Sequence, residues 1–216
     1  MIKSTVGENL DAWIRRLFPF LFWGRLDPNT LTVTGAVVST AAAVAIATGS
    51  PITGGLLVLF GGFFDLTDGV VARYHGISTR FGAFLDSTLD RWVDVVLLAG
   101  IAVHYARLGE LGHVALAGAT TAVMVIVSYS KARAELVLDR FEVGLLERAE
   151  RVVILAAGVL TGYLAAALWV ILLGSTITAG QRFRLAYREM ERLDAAEAAS
   201  AEASPNPEPI QPEPGP

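Results

Sequence analysis

The chain has 216 residues, of which 53% are hydrophobic and 18% charged, and this charged fraction lies below the roughly 25% of average soluble domains. This composition argues against a water-soluble globule. The formal net charge of −4 comes from a C-terminal tail that contains five acidic residues and no Lys or Arg, and the rest of the chain has no positive excess that would suggest nucleic acid binding. The absence of cysteine excludes disulfides, thiolate metal sites and a cysteine nucleophile.

Residues 1–25 predict an amphipathic helix at the membrane surface rather than a signal peptide. Charged residues interrupt every apolar run there, whereas a signal peptide needs an uninterrupted apolar stretch. The apolar side chains recur at helical spacing opposite the charges, as in interfacial helices; they are Leu10, Trp13, Ile14, Leu17, Phe18 and Leu21. A soluble connecting helix is the alternative that the pattern leaves open.

Five apolar segments follow, and a membrane-spanning helix needs about 20 mostly apolar residues. The segments are residues 31–49, 50–72, 81–105, 111–130 and 152–181. The last is a run of 30 uncharged residues, which fits either one over-long span or two short spans that meet near residues 161–162.

The positions of Lys and Arg favour the division into two spans. Basic residues cluster in 1–30, 73–80, 131–151 and 182–192, and the turns between these clusters contain only Arg107. Short cytoplasmic loops are enriched in Lys and Arg, so the alternation predicts six transmembrane helices with both termini in the cytoplasm. We therefore expect an all-α integral membrane protein in the cell (inner) membrane, with an N-terminal interfacial helix (1–25), a six-helix domain (26–192) and a disordered Pro/Ala/Glu-rich tail (193–216).

Four aspartates interrupt the second and third of these helices. Asp65 and Asp68 are three residues apart and Asp86 and Asp90 four, so each pair shares one face of its helix. A short turn joins the two helices, which places both pairs at neighbouring cytoplasmic ends. Carboxylates cost roughly 3 kcal/mol each in a bilayer, and a group of them suits hard divalent cations. Two such ions can support phosphoryl transfer.

Residues around the aspartates are also consistent with a phosphate ligand. Gly69, Ala72 and Gly82 leave room for close approach, and Arg73 offers a fixed charge. We expect Arg91 to pair with Asp94 on the same helix. A cation transporter is an alternative of a different class, although the interrupted helices and inverted repeats typical of transporters are not seen.

The segment DLTDGVVARYHGISTRFGAFLDSTLD (65–90) matches D-x-x-D-G-x-x-A-R-x8-G-x3-D-x3-D at every fixed position. It resembles the signature of the CDP-alcohol phosphatidyltransferase family, and the resemblance extends over about residues 7–190. It implies a six-helix membrane enzyme, commonly a homodimer, that transfers a phosphatidyl group from a CDP-linked lipid to an alcohol and releases CMP. It also implies a metal site for Mg²⁺ or Mn²⁺, with two ions bound by Asp65, Asp68, Asp86 and Asp90.

The resemblance assigns further roles by position. Asp90 corresponds to the general base, and the residues corresponding to the CDP-lipid site are Asn29, Thr32, Gly69, Ala72, Arg73, Thr79 and Gly82. In this scheme the metal neutralises the diphosphate and Asp90 accepts the proton of the attacking hydroxyl.

Two segments bear on the identity of the acceptor alcohol. SYSKARAE (128–135) and LLERAERVVIL (145–155) resemble the phosphatidylinositol-phosphate synthase branch, in which basic residues bind an inositol phosphate. The corresponding candidates are Lys131, Arg133, Arg148, Arg151 and Arg182. The alternative is that these basic residues only fix the orientation of the helices in the membrane, as cytoplasmic Lys and Arg commonly do. The leading acceptor is soluble myo-inositol phosphate, and glycerol 3-phosphate is the alternative, which would make the protein a phosphatidylglycerophosphate synthase.

Overall fold

The structure is a computed structural model that describes residues 14–22, 26–138, 141 and 143–203. Over these residues the chain is helical and has no strand. After a 3-10 turn at Pro19–Phe22 come six helices: α1 (Pro28–Ala47), α2 (Pro51–His75), α3 (Arg80–Arg107), α4 (Leu111–Ala134), α5 (Arg148–Thr161) and α6 (Leu164–Ala203). The predicted all-α class is confirmed, and the helices follow the order of the predicted spans.

Local sequence explains where the first three helices begin. Pro28 and Pro51 occupy first-turn positions of α1 and α2, where a missing N–H costs nothing. Asp27 caps α1 by accepting a hydrogen bond from the Asn29 N–H at 3.2 Å. Thr79 caps α3 in the same way. These caps fix two helix starts at one end of the bundle.

The long apolar run 152–181 is divided between two helices. α5 ends at Thr161, and Gly162 follows with φ of +78°, a left-handed conformation that glycine adopts at little cost. The run therefore forms two helices that meet near residues 161–162, which excludes one continuous helix over 152–181. α5 has 14 residues, or about 21 Å, and is shorter than the hydrocarbon core of about 30 Å.

Within the described residues, four helices are long and apolar enough to cross a membrane: Pro28–Ala47, Pro51–His75, Leu111–Ala134 and Leu164–Ser200. α3 is long enough but carries the charged residues Asp86, Asp90, Arg91 and Asp94. The described chain thus has the composition and helix lengths of a helical membrane protein.

Close packing brings the ends of the first three helices together. α1 packs against both α2 and α3, α3 also contacts α4, and α5 bridges α2 and α6. Gly100 of α3 lies directly against the backbone of Ala43 in α1, where a Cβ atom would clash. Small residues permit such close approach between membrane helices, and here they hold α3 beside α1.

The N-terminal segment is helical where it is described, and the C-terminal segment differs from the sequence expectation. Ile14–Leu17 are helical, and Phe18 packs edge-to-face on Phe63 of α2 with ring centroids 4.7 Å apart. The rest of the predicted interfacial helix lies outside the described residues. α6 continues to Ala203, so residues 193–203 are helical where disorder was expected, because Ala and Glu are strong helix formers. Residues 204–216 lie outside the described part.

Candidate active site

A cavity of about 380 Å³ lies between the first turns of α1 and α3 and the last turns of α2. Its walls include all seven residues that the sequence analysis assigned to the CDP-lipid site: Asn29, Thr32, Gly69, Ala72, Arg73, Thr79 and Gly82. Asp27, Ile77 and Ser78 also line it, although the sequence analysis did not single them out. The structure therefore brings this predicted set to one place.

Helix starts and one arginine offer N–H donors to this cavity, which Asp27, Asp68 and Asp86 also line. The first N–H groups of a helix have no partner within the helix, and the helix dipole adds to their positive charge. Thr79 satisfies one such group by accepting a hydrogen bond from the Gly82 N–H at 2.9 Å. The starts of α1 and α3 line the same cavity as the Arg73 guanidinium, a combination that suits an anionic group such as a phosphate.

Two glycines leave the space that the cavity occupies. A Cβ atom on Gly69 would lie 3.1 Å from Nη1 of Arg73, and one on Gly82 would lie 3.1 Å from Oδ1 of Asn29. Both distances are tighter than ordinary van der Waals contact. Glycine at these positions keeps Arg73 and Asn29 where they are, so backbone and side chains approach closely without strain.

The four predicted metal ligands are arranged as three plus one. Carboxylate oxygens of Asp65, Asp86 and Asp90 all lie within 4.8 Å of one another, in a group that could hold a metal ion. Asp68 points to α1 instead, where its Oδ2 accepts a hydrogen bond from Thr32 Oγ1 at 2.5 Å. Asp86 belongs both to the three-carboxylate group and to the wall of the cavity, so the two features are contiguous.

The chemistry of the three-carboxylate group fits a hard divalent cation. Oxygen-only ligands select Mg²⁺, Mn²⁺ or Ca²⁺ over zinc. Oδ1 of Asp90 is buried, and its cationic neighbour among the described residues is Nη1 of Arg148 at 3.0 Å. One guanidinium does not balance three carboxylates whose oxygens lie within 4.8 Å of one another, and a divalent cation would supply the missing positive charge.

Arg148, the first residue of α5, lies beside these carboxylates. Its Nη1 pairs with Oδ2 of Asp65 and lies 3.0 Å from Oδ1 of Asp90. The sequence analysis assigned Arg148 to an acceptor phosphate, whereas this structure places its guanidinium on the carboxylates. Helical periodicity could not reveal this contact, because Arg148 and Asp65 are far apart in sequence.

Arg151, one turn further along α5, pairs with Asp94 of α3. Their Nη2 and Oδ2 atoms are 3.9 Å apart, and both side chains are nearly buried. The expected Arg91–Asp94 pair is thus replaced, and Arg91 donates to the Ser87 carbonyl instead. Among the described residues, Nε and Nη1 of Arg151 have no hydrogen-bond acceptor. Asp94 was not singled out as a site residue, although its spacing of four from Asp90 extends the same helix face.

The other three predicted acceptor residues have different surroundings. Arg182 of α6 is buried and donates to the carbonyls of Val127 at 2.5 Å and Val143 at 3.0 Å, which ties the end of α4 to the following loop. Lys131 pairs with Glu135 at 3.6 Å, and Arg133 is exposed. Among the predicted phosphate ligands, Arg151 has two buried donor atoms without an acceptor in the described residues, and Arg148 has one, its Nε.

Comparisons with known proteins identify relatives over most of the chain. The profile of one family, described as CDP-alcohol phosphatidyltransferase, matches residues 25–180. The archaetidylinositol phosphate synthase of Methanothermobacter thermautotrophicus is 43% identical over 64% of this chain and 69% of its own. The phosphatidylinositol phosphate synthase of Streptomyces avermitilis is 38% identical over 91% of this chain and 88% of its own.

Solved structures agree with these sequence matches. The Mycobacterium tuberculosis phosphatidylinositol phosphate synthase with CDP-DAG bound superposes with a TM-score of 0.69 at 28% identity, over 85% of this chain and 94% of its own. The same enzyme in complex with manganese and citrate gives a TM-score of 0.68 at 28% identity, over 84% and 88%. The family profile, which spans residues 25–180, includes the residues of the cavity and the carboxylates.

Proposed function

This chain belongs to the CDP-alcohol phosphatidyltransferase family, and on that premise we propose that it is a phosphatidylinositol phosphate synthase. It transfers a phosphatidyl group from CDP-diacylglycerol to a hydroxyl of myo-inositol phosphate and releases CMP. The names of the bacterial relatives at 38% identity support this acceptor. The observation that carries the proposal is the contiguity of the cavity and the three-carboxylate group, which share Asp86.

The CDP group of the donor occupies the cavity between α1, α2 and α3. A volume of about 380 Å³ is within the range of small-molecule sites. Arg73 and the starts of α1 and α3 compensate the charge of the diphosphate, while Gly69 and Gly82 leave room for the nucleotide. The lipid chains remain in the bilayer beside the cavity.

The metal centre comprises Asp65, Asp86 and Asp90, with Asp68 beside it on the cavity wall. We assign it to Mg²⁺ or Mn²⁺, with two ions, and the manganese in the mycobacterial neighbour supports the choice of metal class. When bound, such ions neutralise the diphosphate and make CMP a better leaving group. Thr32 keeps Asp68 oriented through its hydrogen bond.

Asp90 is the general base in this proposal. Its carboxylate accepts the proton of the acceptor hydroxyl while that oxygen forms a bond to the lipid-side phosphorus, and the bond from phosphorus to the CMP oxygen breaks. Arg148 lies 3.0 Å from Asp90 and holds its carboxylate beside Asp65. The group that removes the proton is therefore positioned from a second helix.

The acceptor phosphate binds to the arginines at the start of α5. Arg151 supports this assignment most directly, because two of its donor atoms are buried without an acceptor and arginine binds phosphate bidentately. Lys131, Arg133, Arg148 and Arg182 remain predicted contributors. Glycerol 3-phosphate would satisfy the same charge requirement and is the second candidate acceptor.

The topology proposed for the chain is six spans, with both termini and the active site in the cytoplasm, in a homodimer. The six described helices and the alternating clusters of Lys and Arg support it. Because the chain lacks cysteine, single cysteines at the exposed positions Leu108 and Ala198 give a direct test. A membrane-impermeant thiol reagent should label intact cells at position 108 and spare position 198, and the reverse would refute the topology.

The activity is tested by CMP release from purified protein in lipid vesicles with Mn²⁺ or Mg²⁺. CDP-diacylglycerol is offered with myo-inositol phosphate, glycerol 3-phosphate or serine, and CDP-archaeol replaces it in a parallel arm because an archaeal relative makes an archaetidyl product. We expect the fastest release with myo-inositol phosphate. Faster release with glycerol 3-phosphate would favour the second candidate, and ion flux without CMP would favour a transporter.

A further inference from the structure

We infer that Asp94 is a positioning residue that orients Arg151 toward the phosphate of the acceptor and thereby sets the affinity for phosphorylated acceptors. This inference rests on the proposed function. Asp94 lies outside the segment 65–90 that carries the family pattern. It does not touch the reacting atoms but acts through the guanidinium that it faces.

The position of Asp94 on α3 links it to the catalytic carboxylates. It follows Asp90 by four residues, as Asp90 follows Asp86, so the three carboxylates lie on one helix face about 6 Å apart along the axis. Asp94 lies at the junction of three helices, since it lines one small cavity with Arg91 and Ser128 and another with Arg151. Asp94 therefore lies about one helical turn from Asp90, the proposed general base.

Burial of the Asp94–Arg151 ion pair lowers the stability of the fold, which indicates that the pair has a further role. The two side chains are 11% and 7% exposed, and their nearest atoms are 3.9 Å apart, beyond ordinary hydrogen-bond length. A buried ion pair without hydrogen bonds recovers little of the desolvation free energy of its two charges. Packing stability alone would favour apolar residues at both positions.

The remaining donor groups of Arg151 indicate what that role is. A guanidinium has five N–H donors in a planar fork. Nη2 faces Asp94, while Nε and Nη1 are buried and unpartnered among the described residues. An anionic ligand with several acceptor oxygens would satisfy them, and a phosphate matches the fork. Arg148 has one such atom, its Nε, but its Nη1 is held by Asp65 and Asp90, so Arg151 is the arginine of α5 with the larger number of unpartnered donors.

A double-mutant cycle tests whether Asp94 acts through Arg151. Asp94→Asn, Arg151→Ala and the double variant are purified, and KM for myo-inositol phosphate and for CDP-diacylglycerol are measured separately. We expect Asp94→Asn to raise the acceptor KM about tenfold, as when a partner that orients a ligand-binding group is removed, and to leave the donor KM unchanged. In the Arg151→Ala background the same change should have no further effect. An equal rise in both KM values, or additive effects in the double variant, would overturn the inference.

Two controls separate positioning from folding. Asp94→Glu keeps the charge, so its acceptor KM should fall nearer the wild-type value than that of Asp94→Asn. If both variants unfold at the wild-type temperature and have the same raised KM, the inference is wrong. Glu189→Gln removes an exposed ion pair with Arg192 at 3.3 Å on α6 and should change neither KM.

Equilibrium binding distinguishes failure of this inference from failure of the proposed function. Titration calorimetry with myo-inositol phosphate and with glycerol 3-phosphate needs no turnover, so it reports on Asp94 even if no CMP is released. Weaker binding of either phosphate by Asp94→Asn supports the positioning role. Unchanged binding of both by this variant refutes it, whether or not the wild type proves to be the proposed enzyme.

Discussion

The donor side and the acceptor side of the candidate site are built differently. The donor cavity takes its walls from the start of α1 and from the stretch between Asp68 and Asp86, and helix starts and glycines shape it. The proposed acceptor side has its candidate cations on α4, α5 and α6, and Arg148, Arg151 and Arg182 all contact groups on other helices or loops. Asp90 lies between the two sides.

On the proposed function, the donor binds in a cavity between helix ends, whereas the acceptor binds to buried arginines whose positions depend on partners on other helices. The KM for the donor should therefore change with substitutions in the walls of the cavity and not with substitutions of distant charged residues. Buried arginines should respond to their partners as well as to their own replacement. Changes on one side should therefore alter the KM for one substrate, and changes at Asp90 should affect turnover with either acceptor.

The largest effect is expected for Asp90→Asn, because the proposed general base is needed whichever acceptor is bound. Asn is nearly isosteric but a poor base, so CMP release should fall by about 10³-fold, within the range of general-base catalysis. The melting temperature and the affinity for CDP-diacylglycerol should be retained. The rate is measured with saturating substrates, and release within a few-fold of wild type would remove Asp90 from the mechanism.

Arg151→Lys tests whether the guanidinium of Arg151 binds the phosphate of the acceptor. Lysine keeps the charge but lacks the planar fork, and losing a hydrogen bond to a charged group costs about 1.5–3 kcal/mol. We therefore expect the KM for the phosphorylated acceptor to rise about 10- to 100-fold, with an unchanged KM for CDP-diacylglycerol. A variant with wild-type acceptor kinetics would show that Arg151 serves folding or topology instead.

Gly69→Ala tests whether the space around Gly69 is needed for binding of the donor. The added methyl group would lie 3.1 Å from Arg73 Nη1, and moving that guanidinium off its preferred rotamer costs about 1 kcal/mol. The donor KM should rise about fivefold while the acceptor KM stays constant. Gly118→Ala on α4 is the matched control, because a Cβ there meets nothing within 4 Å. If both alanine variants bind donor equally well, the space around Gly69 has no part in nucleotide binding.

Gly162→Ala tests a region that belongs to neither side. Gly162 has φ of +78° and open space around its Cα, so alanine meets only backbone strain of about 1–2 kcal/mol. We expect the melting temperature to fall by about 2–4 °C per kcal/mol, with both KM values unchanged. Gly180→Ala within α6, where a Cβ also meets open space, should not lower it. A change in either KM would show that the break between α5 and α6 contributes to the site.

Spacing and the family resemblance predict residues that the structure brings together around the cavity, whereas the basic residues proposed for the acceptor were predicted only by residue type. Helical spacing places Asp86 and Asp90 on one face, and the turn before α3 places them beside Asp65, because these relations are local or nearly so. Spacing along α2 does not predict the hydrogen bond between Asp68 and Thr32, because that bond depends on how α1 packs on α2.

The acceptor side shows why the remainder was not predictable. Arg91 was expected to pair with Asp94 because the two are near in sequence, but Arg151 of α5 takes that place. Likewise Arg182 fits a phosphate site by charge, yet its donors reach the carbonyls of Val127 and Val143. Partners of long cationic side chains in a helical bundle depend on which helices pack together, and periodicity along one helix contains no such information.

The central claim is that carboxylates from α2 and α3 bind divalent ions beside a nucleotide cavity. Its most direct test is a crystal structure with CDP-diacylglycerol and Mn²⁺, recorded at a wavelength where manganese scatters anomalously. We predict anomalous density between Asp65, Asp86 and Asp90, next to a diphosphate in the cavity lined by Arg73. Nucleotide bound in the cavity with no anomalous density at those carboxylates would contradict the account.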